Sequence, residues 1–330
     1  MKARKVIIVA LMLVMASILS GCNETEPSSL DVDPTKITVT KAKTVERTGE
    51  VISNATIVDH GLKVEKSSSN IKDLPESIMQ QVAYWQSVYP NMDIGVGLYS
   101  LDGKNGYEYN ANEKINSACT IKAAFSKYVL QTCEKNGIDI WSTSITFEER
   151  HDDFGSGAII LYGEHGIDYS VGYLVQLLLG ESDNVAYNML LDMFPLSGFY
   201  QMLSEIGGQD DGNQWGSASV TQRKNEWLDV YKYISTGTDY ANILKDDLTN
   251  TKYAYIPEGM SNWHNYMHKS GWCDEDYEYP AASDCAIIDE EYLLIILTQD
   301  YTTGSGHIDA IHSISDEVET YYYSNNGYIF

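Results

Sequence analysis

The chain has 330 residues, with 47 acidic against 22 basic side chains and a formal charge of −25. That length holds one large domain, or two intimately packed lobes, behind a short extension. The acidity argues against a nucleic-acid partner and against electrostatic attachment to anionic lipid, since both need basic surface.

Lys2, Arg4 and Lys5 make a basic start, and Val6 to Ile18 is an apolar run too short for a membrane span. Leu19-Ser20-Gly21-Cys22 then places small residues before a cysteine. A basic region, a short apolar core and a small-residue cleavage site read as a secretory signal over residues 1–21. The segment resembles the lipobox of bacterial lipoproteins. The resemblance implies lipid on Cys22 and an extracytoplasmic protein anchored to the bacterial cell membrane. Removing residues 1–21 takes away three basic and no acidic side chains, which moves the charge from −25 to −28. Residues 22–73 are rich in Ser, Thr, Asp, Glu and Lys and read as a tether. Fully flexible, it would span on the order of 40 Å. Some β-like alternation over 37–63 allows a small strand pair within it.

The domain proper is expected over 74–330. Leu74 to Tyr89 has a helical pattern. Asp93 to Leu101 alternates as a strand, and Tyr107 to Asn110 returns after Asp102-Gly103 and Asn105-Gly106 turn signals. A helix runs from Cys119 to about Lys135 and ends near Gly137; it is apolar over much of its circumference and so buried. Residues 141–207 are mostly helical, including 171–180 and 184–193, and Glu226 to Ser235 is another helix. Met267 to Cys273, Cys285 to Asp289 and Tyr292 to Thr298 are strands, and a last helix covers Gly306 to Tyr321. The order predicts an α+β fold: one antiparallel sheet built from both chain ends, flanked by helices, with an all-helical lobe inserted.

Three segments carry chemistry. Cys119-Thr120-Ile121-Lys122 sets a thiol and an amine three residues apart, on one helical face. A nucleophile at a helix start gains from the dipole and from unpaired backbone N–H groups able to bind an oxyanion. Ser182-Asp183-Asn184 lies in a turn between helices, and Lys269-Ser270-Gly271 lies on a strand that can face a cleft. Each segment alone is a weak signal. Together, in this order and on these elements, they are strong.

From about Leu74 to the C-terminus the chain resembles class A β-lactamases and penicillin-binding proteins, whose motif set is S-x-x-K, S-D-N and K-T-G. The stretch from Tyr169 to Met193 resembles that family's central helices. His268-Lys269-Ser270-Gly271-Trp272 and Asp284-Cys285-Ala286-Ile287-Ile288 resemble its third and fourth strands. The resemblance implies the α+β fold already read, no cofactor, and a β-lactam or peptidoglycan-peptide substrate. By position it implies Cys119 as nucleophile, Lys122 as acylation base and Ser182 as proton relay. Asn184 would contact a substrate amide, and Lys269 and Ser270 its carboxylate. The backbone N–H groups of Cys119 and Trp272 would form the oxyanion hole, and Asp183 would be structural.

Two departures stand out. Cysteine replaces the family's serine, which lowers the need for a base but changes bond lengths at the reacting atom. The family's E-x-x-L-N segment is also missing: residues 207–215 read Gly-Gly-Gln-Asp-Asp-Gly-Asn-Gln-Trp, with Asp210 and Asp211 as the only acids. Slow deacylation is the expectation, and a non-catalytic receptor or scaffold is the rival reading. A pairing of Cys119 with His268 is disfavoured, because His268 and Lys269 face opposite ways on a strand. Cys273 and Cys285 are expected to be near enough for a disulfide, and Cys119–Cys273 is a second pairing that would silence the nucleophile. His151, His165, His264, His268, His307 and His312 show no metal-ligand spacing and are read as surface residues. No nucleic-acid partner is expected, and the protein is expected to be a monomer.

Overall fold

The computed structural model describes residues 70–330 except 211, 213–215, 274–279, 301 and 304. The signal segment, Cys22 and the alternation at 37–63 lie outside the described residues. In chain order the elements are β1 (Asn70–Asp73), α1 (Glu76–Val88), β2 (Met92–Ser100), β3 (Asn105–Tyr109), β4 (Ile115–Asn116), a 3-10 turn (Ala118–Ile121) and α2 (Lys122–Asn136). There follow β5 (Ser144–Thr146), a second 3-10 turn (Glu149–His151), α3 (Ala158–Tyr162), β6 (Asp168–Ser170), α4 (Val171–Gly180), α5 (Asn184–Leu190) and α6 (Leu196–Ile206). The chain continues with β7 (Ser217–Ala218), α7 (Val220–Ile234), α8 (Asp239–Thr249), α9 (Tyr255–Gly259), β8 (Tyr266–Cys273), β9 (Ala281–Ile288), β10 (Tyr292–Asp300) and α10 (His307–Ser324).

The main sheet runs β1-β3-β2-β10-β9-β8. All its pairings are antiparallel except β1 with β3, which is parallel. Residues 70–73, assigned to the tether on sequence, are thus an edge strand of the domain. The sheet is buried on both faces, and β10 shows it in one strand. Leu293, Ile295 and Leu297 join the core that contains the helical lobe. Leu294 and Ile296 join a second core with α1 and α10. A long apolar run such as Leu293 to Leu297 in β10 is what a sheet covered twice requires.

Local chemistry sets the helix ends. Gly137, at φ 65°, closes α2 in the left-handed conformation that glycine takes without strain. Ser170 caps α4 and Asp183 caps α5 through their side-chain oxygens. Ser219 and Gln222 form a capping box on α7. That helix begins six residues before its expected start at Glu226, and its added turn buries Val220 and Arg223.

The expected Cys273–Cys285 disulfide is not formed. Strand register explains why: Cys285 stands opposite Lys269, and Cys273 opposite Ala281. Four residues of strand separate the two thiols, about 13 Å at roughly 3.3 Å per residue. A disulfide needs Cα atoms within about 7 Å. Cys119 and Cys273 are likewise not bridged.

Candidate active site

The three motif segments meet between the sheet and the helical lobe. Cys119 does not open the α-helix as expected. It sits in the preceding 3-10 turn, where Thr120 N and Thr120 Oγ1 both donate to Ser117 O, at 3.2 and 2.8 Å. Ala118 just before it has φ 43°, in the left-handed region. The edge strand β8 packs against this turn. A Cβ added at Gly271 would stand 2.4 Å from Cys119 N, so only glycine lets the strand come this close to the Cys119 amide.

Lys122, one turn on, is fully buried, and its hydrogen bonds reach the second motif. Its Nζ donates to Ser182 O at 2.6 Å, to Asn184 Oδ1 at 2.7 Å and to Ser182 Oγ at 3.3 Å. Lys269 comes from β8 and donates to Ser182 Oγ at 3.1 Å and to Ser270 O at 2.8 Å. Ser182 thus lies between the two ammonium groups. It has φ 55°, a strained conformation for a side-chain-bearing residue. Bonds to its carbonyl from Lys122 and from Ser156 Oγ (2.9 Å) hold it there.

Burial pushes the Cys119 thiol up, but the charges of Lys122 and Lys269 and the hydrogen bonds from Ser182 and Lys122 outweigh it and hold the thiol below its ordinary value. Burial holds Lys122 below the usual lysine value, against the pull of Cys119, Asp183 and Asp153. Burial also lowers Lys269, to about 8, with Cys119 and Asp284 opposing and Lys122 adding to the shift. The arrangement can supply a thiolate, a hydroxyl able to pass a proton, and cationic charge beside it. Since Lys269 loses its charge as pH rises through about 8, capture of a carboxylate-bearing substrate should weaken above that pH. The kcat/KM or labelling-rate profile should show a descending limb there, absent in Lys269→Met.

The remaining expected residues are placed as follows. Asn184 is the first residue of α5, and its Nδ2 donates to Phe154 O at 2.7 Å. Asp183 is buried and accepts from Ala186 N at 3.0 Å and Ile159 N at 2.8 Å, a structural role. Asp183→Ala should leave two buried N–H groups unpaired and cost about 2 kcal/mol or more, read from a denaturant midpoint. Ser270 is buried and its single proton is engaged with Tyr253 O at 2.7 Å, so a substrate carboxylate must displace that bond. Trp272 follows Gly271 on β8 with its side chain half exposed.

His268 is not paired with Cys119. Its Nε2 lies 2.6 Å from Thr251 Oγ1, and its Nδ1 lies 3.5 Å from Asp284 Oδ1. His151, His264, His268 and His307, expected at the surface, are buried. Among the described residues no group of three or more His, Cys, Asp or Glu could hold a metal ion. Asp210 is exposed, and Asp211 lies outside the described residues. Sequence reasoning missed Ser117, Ser156 and Arg223, which position the motifs. No motif marks them in the sequence.

Residues 75–322 match the model of the beta-lactamase enzyme family. The chain belongs to that family. Membership places it among hydrolases whose fold and motif order are those described above. The beta-lactamase-family fold also matches solved structures. PBP-A is 16% identical, with 78% of this chain and 98% of that chain covered and a TM-score of 0.64. TLA-1 extended-spectrum beta-lactamase is 13% identical, with 76% and 99% covered and a TM-score of 0.63. A beta-lactamase from Chitinophaga pinensis DSM 2588 is 15% identical, with 76% and 99% covered and a TM-score of 0.61. No curated protein sequence matches.

Proposed function

We propose that this chain is an acyl-transfer hydrolase that attacks the carbonyl of a β-lactam or a D-Ala-D-Ala-type peptide through Cys119. The observation that carries the reading is Ser182 Oγ held between Lys122 and Lys269, beside a thiol whose ionised form both cations favour. The Cys119 sulfur bonds to the carbonyl carbon and the amide C–N bond breaks. A proton reaches the leaving nitrogen from Lys122 by way of Ser182 Oγ. The backbone N–H groups of Cys119 and Trp272 bind the oxyanion. Asn184 contacts the substrate amide, and Lys269 with Ser270 binds its carboxylate. The product is a thioester, which water then hydrolyses. A mutant of PBP-A is known as an acyl-enzyme complex with penicillin-G, which supports acylation as the chemistry of this fold.

Deacylation is slow in this reading. Residues 207–215 contain no glutamate, and Asp210 faces solvent. The same observation favours a second reading, a tethered receptor that binds β-lactam or stem peptide without turnover. Incubation of the protein with penicillin, with and without reductant, followed by intact mass, tests both. The enzyme reading expects the mass of one penicillin, released by neutral hydroxylamine as a thioester is. Wild type that never labels while Cys119→Ser does would sink it; saturable binding without label would favour the receptor. The residues before the domain support a lipoprotein lipidated at Cys22 and held at the outer face of the cell membrane, over a signal at 1–21 and a tether from 22. Cys22→Ala should release the protein into the medium or the soluble fraction.

A further inference from the structure

The nucleophile turn is gripped from behind by a charged group outside the chemistry above. Arg223, on α7, is fully buried. Its Nε donates to Thr120 Oγ1 at 2.9 Å, and its Nη2 donates to Ser117 Oγ and to Gln209 Oε1, each at 2.7 Å. Its Nη1 pairs with Glu226 Oε2. Glu226 is buried too, and its Oε1 accepts from Gln209 N at 2.7 Å.

Desolvation offsets much of the attraction in a buried ion pair, so the pair is weak evidence for stability and what it holds matters more. Here the guanidinium holds Ser117 and Thr120, the two residues that flank Ala118 and Cys119. Ala118 is in the left-handed conformation, and its Cβ would stand 2.9 Å from a Cβ added at Gly271. A strained turn of this kind persists only when its surroundings over-determine it. A planar fork bonded to both ends does so, and a lysine could not reproduce it.

We propose that Arg223 is the positioning residue for Cys119, fixing both ends of the strained turn and tying it through Gln209 and Glu226 to the loop that replaces the family's glutamate segment. The proposal rests on Cys119 being the nucleophile only for one of its two readouts. Cys119 faces Lys122 from α2, Lys269 from β8 and Ser182 between α4 and α5, with Tyr255 of α9 also in its field. A turn that loosens carries the sulfur away from these cations.

Two variants test this. Arg223→Lys keeps the charge and loses the fork. Ser117→Ala combined with Thr120→Val removes the two accepting hydroxyls and leaves Arg223, Glu226 and Gln209 together. Each is checked for folding by circular dichroism. The pH dependence of Cys119 alkylation by iodoacetamide is then read by peptide mass, beside the rate of penicillin labelling. The alkylation midpoint should rise by about half a pH unit or more in both variants. Labelling should fall about 10- to 100-fold. If Arg223→Lys does not fold, the double variant decides. A midpoint unmoved in the folded double variant overturns the positioning role, whatever penicillin does. A midpoint that moves while wild type is never labelled keeps the positioning role and removes the acyl-transfer reading instead.

Discussion

Cys119→Ala should abolish covalent labelling by penicillin, while Cys119→Ser should label and then release product slowly. The first outcome follows from the site having one nucleophile among Lys122, Ser182 and Lys269. Ser182 Oγ is itself a hydroxyl, but it is held by both lysines and lies in the relay position. The second outcome separates two effects of the natural cysteine. A hydroxyl ionises far less readily than a thiol, so the serine variant depends wholly on Lys122 to take its proton. All groups for that transfer are present. Hydrolysis of the resulting ester still lacks a glutamate at 207–215, so the adduct should persist for many minutes rather than turn over. Intact mass against time reads both. Labelling of Cys119→Ala at the wild-type rate would move the nucleophile elsewhere.

Lys122→Met should slow labelling of the cysteine protein by about 10²- to 10⁴-fold, the usual range for loss of a positioned acid–base group. It also removes a cation that favours the thiolate. The sign of the pH effect follows. The thiol is held low in the wild type, so the thiolate is present below the ordinary cysteine value. Without Lys122 burial remains and the thiol rises. Labelling should therefore recover in part as pH is raised, and the ascending limb of the profile should move to higher pH. Ser182 O keeps Ser156 Oγ as a donor in this variant but Asn184 Oδ1 loses the Lys122 ammonium, so a thermal melt must accompany the kinetics. A folded Lys122→Met protein with an unshifted profile would show that Lys122 is not the base.

Most of the fold was legible because its signals are local. The strand β10 is built on an apolar run, α4 is an apolar helix with a serine cap, and α2 ends at a glycine. Cys119 and Lys122 were legible as neighbours for the same reason: a spacing of three residues sets them side by side within one turn. Segments whose burial is polar were not legible. The start of α7, before the expected Glu226, is one: Arg223 and Glu226 are buried and pair with each other only in the folded protein. Buried histidines read as surface for the same reason: His264 is enclosed by Asp289 and Glu319, from a strand hairpin and a distant helix.

The sequence by itself determined the family's motif set and the order of elements around it. These depend on residue type and on spacing within one turn or strand. Only the tertiary structure decided which thiols can meet, since a four-residue offset in register parts Cys273 from Cys285. It alone turned Ser270's proton toward Tyr253, set Ser182 in a left-handed turn between two lysine side chains, and put Arg223 behind the turn that carries Cys119. Lys269 reaches Ser182 across 87 residues of chain and Arg223 reaches Ser117 across 106, meetings in space that no local pattern encodes.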